Sequence, residues 1–159
     1  MDSERRRPDG AARAALIGDA DDLDVVRALF REYAASLGED GRFGGFDDEL
    51  AELPYEVLLV ASIDGEPVGC VALRRLDDDA CEMKRMFVRP EARGTGTGRA
   101  LALASLERAR ALGYRTMRLD TLPRKMEAAG ALYRSLGFVE VERYNDNPIE
   151  GVIFMELRL

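Results

Sequence analysis

Arg93-Gly94-Thr95-Gly96-Thr97-Gly98 lies between an apolar run, Met86-Phe87-Val88, and an Ala/Leu-rich stretch, Arg99 to Leu112, that closes at Gly113. From Ala80 onward the span reads as strand, short connection, glycine-rich turn and helix. Met86 to Val88 suits a strand, and Pro90 ends it because proline has no N–H to give to a ladder. Gly94, Gly96 and Gly98 let the backbone turn sharply and approach a ligand with no Cβ in the way. Arg99 to Leu112 are mostly good helix formers, and Gly113 stands where a left-handed cap is expected. A glycine turn feeding a helix N-terminus leaves several N–H groups aimed at one spot, where the helix dipole adds positive potential. Such a spot suits a phosphate, and Arg93, Arg99 and Arg89 add full charges beside it.

Spacing narrows the phosphate ligand. A dinucleotide fingerprint, G-x-G-x-x-G, fails because the third glycine position counted from Gly94 is Arg99. A P-loop fails as well, since Arg99 replaces its second glycine and no Gly-Lys pair follows. Read alone, the loop also fits an ordinary glycine-rich turn that caps a helix. What does match is Arg93-x-x-Gly96-x-Gly98, which resembles the R/Q-x-x-G-x-G/A loop of the GNAT acetyltransferase superfamily. In that superfamily the loop holds the pyrophosphate of acetyl-coenzyme A.

Composition limits the other classes. A chain of 159 residues, 47% apolar and 33% charged, has the profile of a soluble globular protein with a sizeable core. No apolar run approaches the length that crosses a bilayer, so no membrane role is expected. Residues 1–13 are expected to be a disordered tail, basic and polar at first and without the apolar segment of a secretory signal; 14–159 are expected to form one domain. Cys70 and Cys81 fall inside apolar, strand-like runs and read as buried thiols of a reducing, cytoplasmic compartment. A bond between them requires the two strands to pair closely. The chain has no histidine, which removes the commonest base and metal ligand and excludes a Ser-His-Asp triad or a histidine-bearing zinc site. No metal is therefore expected. A net charge of −7 argues against a nucleic-acid surface. The early acids (Asp19, Asp21, Asp22, Asp24, Glu39, Asp40, Asp47, Asp48, Glu49 and Glu52) read first as solvated helix faces and dipole complements, and second as a negative rim that attracts a cationic amine.

In chain order, Ala14 to Ile17 suits a short strand, with Asp19 as helix N-cap. Leu23, Val26, Leu29/Phe30, Tyr33 and Leu37 recur at helical spacing up to Gly38. Gly41 to Gly45 reads as a loop with Phe43 and Phe46 as exposed aromatics, and Asp47 to Leu53 as a second helix stopped by Pro54. The period then becomes that of strands. Val57 to Ile63, the hairpin signal Asp64-Gly65, Pro67 to Leu73, the turn Asp77-Asp78-Asp79 and Cys81 to Val88 make a three-stranded meander. After the glycine loop and its helix come a strand (Arg115 to Asp120), a helix (Lys125 to Leu136) and two strands (Phe138 to Val141, Val152 to Leu157). This order predicts an α/β three-layer fold, with a mixed, mostly antiparallel sheet of about seven strands flanked by about four helices. The same order is expected of GNAT proteins.

A second motif joins the first. Leu132-Tyr133-Arg134-Ser135-Leu136-Gly137-Phe138 resembles the L/F-Y-x-x-x-G-F signature that follows the cofactor strand in the same superfamily. Together the two motifs and the element order identify Ala14 to Leu159 as resembling a GNAT domain. The resemblance implies acyl transfer from acetyl-coenzyme A to an amine, small or peptidic, by direct attack in a ternary complex. It implies cofactor contacts from Met86, Phe87, Val88 and the loop Arg93 to Arg99 (Gly94, Thr95, Gly96, Thr97 and Gly98 included), with polar help from Asp120. Tyr133 would donate a proton to the departing sulfur, and Glu82, on the motif strand, would be the base. Strand alternation places Glu82 on the face of Lys84 and Met86. Glu82 reads otherwise as a strand-edge charge paired with Lys84 or Arg118, and Tyr133 otherwise as a core tyrosine. One departure stands out: the family often carries an asparagine seven residues before the tyrosine, and here that position is Met126. Ala129, four residues before it, does fit.

Tyr144-Asn145-Asp146-Asn147-Pro148 is turn chemistry, and its place between the last two strands makes Tyr144, Asn145 and Asn147, with Phe43, Phe46 or Arg42 from the other side, the expected acceptor contacts. A coenzyme-A-binding sensor that turns over poorly is the alternative reading. Edge strands near the C-terminus are compatible with a homodimer.

Overall fold

The structure, a computed structural model, describes residues 14–38 and 45–159. The tail at 1–13, Arg42 and Phe43 lie outside these residues. One mixed sheet runs through the molecule in the order β1-β2-β3-β4-β5-β7-β6. Its strands are β1 (Leu16–Asp19), β2 (Val57–Ile63), β3 (Glu66–Arg75), β4 (Ala80–Val88), β5 (Thr116–Thr121), β6 (Val139–Val141) and β7 (Ile153–Arg158). Among the described strands only β4 and β5 pair in parallel; every other neighbour is antiparallel. The helices described are α1 (Leu23–Ser36), α2 (Phe46–Glu52), α3 (Thr97–Ala111) and α4 (Glu127–Ser135), with a 3-10 turn at Pro90–Ala92 in the connection after β4.

The period-two pattern of the strands feeds two cores. Val57, Leu59, Val71, Leu73, Cys81, Met83, Met117, Leu119 and Met155 face α3 and α4, where Leu101, Ala102, Leu106 and Tyr133 meet them. Cys70, Ala72 and Phe87 face the other way, against Val26, Leu29 and Phe30 of α1 and Leu50 of α2. Cys70 and Cys81 thus lie in opposite cores as free thiols, and burial pushes each up to about 12. No helix among the described residues is long and apolar enough to cross a membrane.

Several expected boundaries move for local reasons. β1 slides to Leu16–Asp19 because Asp19 still pairs with Leu59. Asp22 therefore caps α1, its carboxylate accepting from Asp24 N at 3.0 Å, while Asp19 takes Arg108 at 2.8 and 2.9 Å. Phe46 opens α2 and packs, partly buried, against the α1 core rather than standing exposed. The start of α4 is delayed to Glu127, because Lys125 N and Met126 N both turn back onto Leu122 O.

Two irregularities shape the site. In β4, Ala72 lies opposite Lys84 but Cys70 opposite Phe87, so Arg85 and Met86 together oppose Val71. This is a β-bulge, and Arg85 takes it up at φ 57°. Simple alternation fails here: Lys84 shares the face of Glu82, whereas the bulge turns Met86 into the opposite core beside Met83. The second irregularity is a split. The β4–β5 ladder holds Ala80, Cys81 and Glu82 against Thr116, Met117 and Arg118 and then stops, leaving the ends of both strands apart.

Candidate active site

Two cavities meet where the strands part. One, of about 420 Å³, is lined by Met86, Phe87 and Val88 of β4, by Arg93, Gly94, Gly96, Thr97 and Gly98 of the loop, and by the first turns of α4. The other, of about 500 Å³, is lined by Glu49, Tyr55, Arg74, Lys84 and Arg85 on one side and by Asp120, Thr121, Asn145 to Ile149 and Val152 on the other. Tyr33, Leu37 and Met126 line both.

The first cavity is built by the glycine loop. Gly96 is the N-cap of α3 at φ 81°, with no side-chain cap, so the first N–H groups of the helix face outward with no capping side chain over them. An added Cβ at Gly94 or Gly96 would meet nothing within 4 Å, which leaves the space above the loop open. Thr95 and Thr97 tie the loop together, their hydroxyls 2.7 Å apart and Thr95 donating to Ala92 O at 2.5 Å. Arg93 and Arg99 are exposed, lightly held by Val88 O and Ser135 Oγ at 3.3 Å each. Arg89 leaves the site: it clasps Glu32 at 2.8 Å and Pro67 O at 2.7 Å.

Glu82 is the hub of the second region. It has no exposed surface, and donors meet both oxygens of its carboxylate. Arg74 Nη2 donates to Oε1 at 2.8 Å and Lys84 Nζ stands 3.7 Å from the same oxygen. On Oε2 the Tyr144 hydroxyl donates at 2.5 Å and Asn145 Nδ2 at 3.1 Å. Asn145 Nδ2 also reaches Asp120 Oδ2 at 2.8 Å, so one amide ties the two carboxylates together. The β6–β7 connection can deliver these side chains because it is braced from within. Asn147 N donates to Asn145 Oδ1, Ile149 N to Asn147 Oδ1, and Arg143 to the carbonyls of Asn145 and Asn147. Burial pushes the Tyr144 hydroxyl well above its ordinary value, and the Glu82 charge adds to this.

Across the cavity, Arg85 makes a two-pronged contact with Glu49, 2.7 Å for each bond. Burial alone would raise Glu49, but the Arg85 guanidinium outweighs it and holds the carboxyl below its ordinary value. Tyr55 also donates to Glu49. Tyr133 is buried against Phe138, ring centroids 5.8 Å apart. Burial pushes its hydroxyl upward, with Tyr33 and Asp120 adding to the effect, so it stays protonated.

Not all the expected residues reach these cavities: Glu82, Tyr133, Tyr144, Thr95 and Arg99 line neither. The loop and Met86 to Val88 come together around one cavity. Asp120, expected beside the cofactor, lines the other cavity with Asn145 and Asn147. Tyr33, Lys84, Arg85 and Glu49 were not among the expected site residues. Tyr33 sits in a helical apolar pattern and reads as core; the Arg85 position depends on the bulge.

A sheet split after one parallel ladder, with a glycine-looped helix at one wall of the gap, defines an acetyltransferase-type α/β fold. The chain belongs to the acetyltransferase (GNAT) family, whose profile matches residues 24–138. It is 40% identical over 146 residues to an uncharacterized N-acetyltransferase of Schizosaccharomyces pombe, spanning 87% of this chain and 89% of that one. An acetyltransferase from Streptococcus agalactiae has the same fold, with a TM-score of 0.76 at 21% identity over 92% of this chain and 99% of that one. So does a putative acetyltransferase from Salmonella typhimurium solved with its cofactor acetyl-CoA, with a TM-score of 0.70 at 23% identity over 92% and 94%.

Proposed function

We propose that this chain transfers an acetyl group from acetyl-coenzyme A to a primary amine, by direct attack within a ternary complex. The observation that carries this reading is the junction of the two cavities at Tyr33, Leu37 and Met126. Acetyl-coenzyme A supplies the activated acetyl group. The open loop, the uncapped N-terminus of α3 and Arg93 suit its pyrophosphate, and the apolar walls at Met86 to Val88 and Ala129 suit its arm.

The protein's own groups then have four tasks: hold both substrates, take a proton from the amine, meet the developing negative oxygen and return a proton to sulfur. The acceptor ammonium first loses one proton to become nucleophilic. Its nitrogen bonds to the acetyl carbon as the carbon–sulfur bond breaks, the nitrogen gives up a second proton, and Tyr133 protonates the thiolate. The net products are an amide, a free thiol and one released proton. Glu82 has no exposed surface, so it works as base by relay: Tyr144 passes its proton to Glu82 Oε2 as it accepts one from the amine.

Calorimetric titration with acetyl-coenzyme A, followed by a thiol-release screen over amines, tests the proposal. Binding by the parent that is lost in Arg93→Ala and Gly96→Glu, plus turnover on at least one amine, is the expected result. Binding without turnover on any amine would mark a coenzyme-A sensor instead.

A further inference from the structure

Resting on that reading, the second cavity also indicates which amines fit. Lys84 is the informative residue. Its side chain is 16% exposed, and its ammonium makes no hydrogen bond among the described residues, Glu82 Oε1 being 3.7 Å away. That oxygen is already taken by Arg74 at 2.8 Å. On the β4 side of the cavity three cations, Arg74, Lys84 and Arg85, face two carboxylates, Glu49 and Glu82. Of the three, Lys84 is the cation with no hydrogen bond among the described residues, and it lines the cavity. A largely shielded ammonium held by one long ion pair gains from a closer acceptor.

The opposite wall carries the opposite charge. Parallel pairing sets Glu82 against Arg118, so two residues further Lys84 and Asp120 stand at matching levels on the same face. By then the strands have parted, and no ion pair joins the two side chains. Asp120 gives one oxygen to Asn145, and no hydrogen bond among the described residues reaches the other. A cation with open donors thus looks across a gap of about 500 Å³ at a carboxylate with an open oxygen. A molecule that carries both an ammonium and a carboxylate satisfies both walls at once.

We propose that the acceptor is a small zwitterion, an amino acid in the broad sense, whose carboxylate is bound by Lys84 with help from Arg74 and whose ammonium is oriented by Asp120. The volume suits a free small molecule better than a chain, and Tyr33 and Met126, shared with the cofactor cavity, lie where the amine must meet the acetyl group.

The test compares matched acceptors in the thiol-release assay: glycine, β-alanine, 4-aminobutyrate and aspartate, each beside its carboxamide, and a peptide amide that begins with aspartate. We expect at least one free acid to exceed its amide about tenfold or more in kcat/KM, mainly through KM, as a desolvated charge contact would give. In Lys84→Gln that ratio should fall toward one, and in Lys84→Arg it should largely survive. The ratio does not depend on the folded fraction, so a less stable variant still reports. Amides used as well as acids by the parent, or an acid preference that persists in Lys84→Gln, would overturn the proposal. Preference for the peptide over free aspartate would overturn the small-molecule assignment. Acetyl-coenzyme A binding with no transfer to any of these acceptors sinks this inference alone, whereas absence of that binding sinks the transferase reading with it.

Discussion

Tyr144 and Glu82, 62 positions apart in sequence, are joined by a 2.5 Å hydrogen bond between the β6–β7 connection and the third residue of β4. The tyrosine ring is fixed by an edge contact to Phe154, centroids 5.3 Å apart, so the hydroxyl has little freedom to leave. If this bond relays a proton, its two ends act as one unit. Tyr144→Phe and Glu82→Gln should each lower kcat by about 10²-fold, and the double variant by little more than the worse single. Steady-state kinetics with acetyl-coenzyme A varied checks this; KM for acetyl-coenzyme A should hold steady.

Tyr133→Phe removes one oxygen and leaves the packing against Phe138 intact. Cofactor affinity by calorimetry should be unchanged, while kcat falls about 10²-fold or more, as expected for loss of a general acid. Because burial, then Tyr33 and Asp120, push this hydroxyl upward, it does not deprotonate in the neutral range. The pH profile of the parent should therefore show no basic fall attributable to Tyr133 below pH 10, its ordinary value.

Glu49 and Arg85, about a tenth exposed each, form a well-shielded ion pair. Glu49→Gln removes the Glu49 charge from the guanidinium and should cost about 3–5 kcal/mol in urea unfolding at neutral pH. The sign with pH follows from the lowered carboxyl. Its stabilisation is fully present above 4.5, its ordinary value, and is lost as pH drops through the lower folded-state value. The stability gap between parent and variant should accordingly be widest near neutrality and shrink on acidification below 4.5.

Gly69 is required for close approach rather than for its own conformation. A Cβ there would stand 2.7 Å from Phe87 O and 3.1 Å from Leu101 Cδ1. Gly69→Ala should destabilise by about 1–3 kcal/mol and, because Phe87 and Val88 wall the first cavity, weaken acetyl-coenzyme A binding as well. Denaturant melts and calorimetry on the same preparation separate the two effects.

The loop at Arg93 to Gly98 was legible because its behaviour is local: glycines permit the turn and the helix follows. The order of elements was legible because apolar period changes at each boundary. The bulge was not, since an extra residue in β4 has no local signature and shows only when Ala72 and Cys70 are matched to their partners. It alone decides that Met86 turns away from Glu82 and that Arg85 reaches Glu49. Arg89 was misread for a similar reason: its partner Glu32 lies 57 residues away on α1. Glu82 was readable as a carboxylate on the motif strand, base or strand-edge charge, but the four side chains around it come from three separate segments that only the fold gathers.

The wall shared by the two cavities has a thermodynamic meaning. Tyr33 lies edge-on to Phe87 at 6.2 Å and under the Arg85 guanidinium at 5.7 Å, so one ring abuts both chambers. A ligand that shifts this ring shifts it for its neighbour too. Whatever factor the first substrate applies to the affinity of the second, the second must apply to the first. Dissociation constants measured one substrate at a time are therefore only two sides of a square, and the ternary complex closes it.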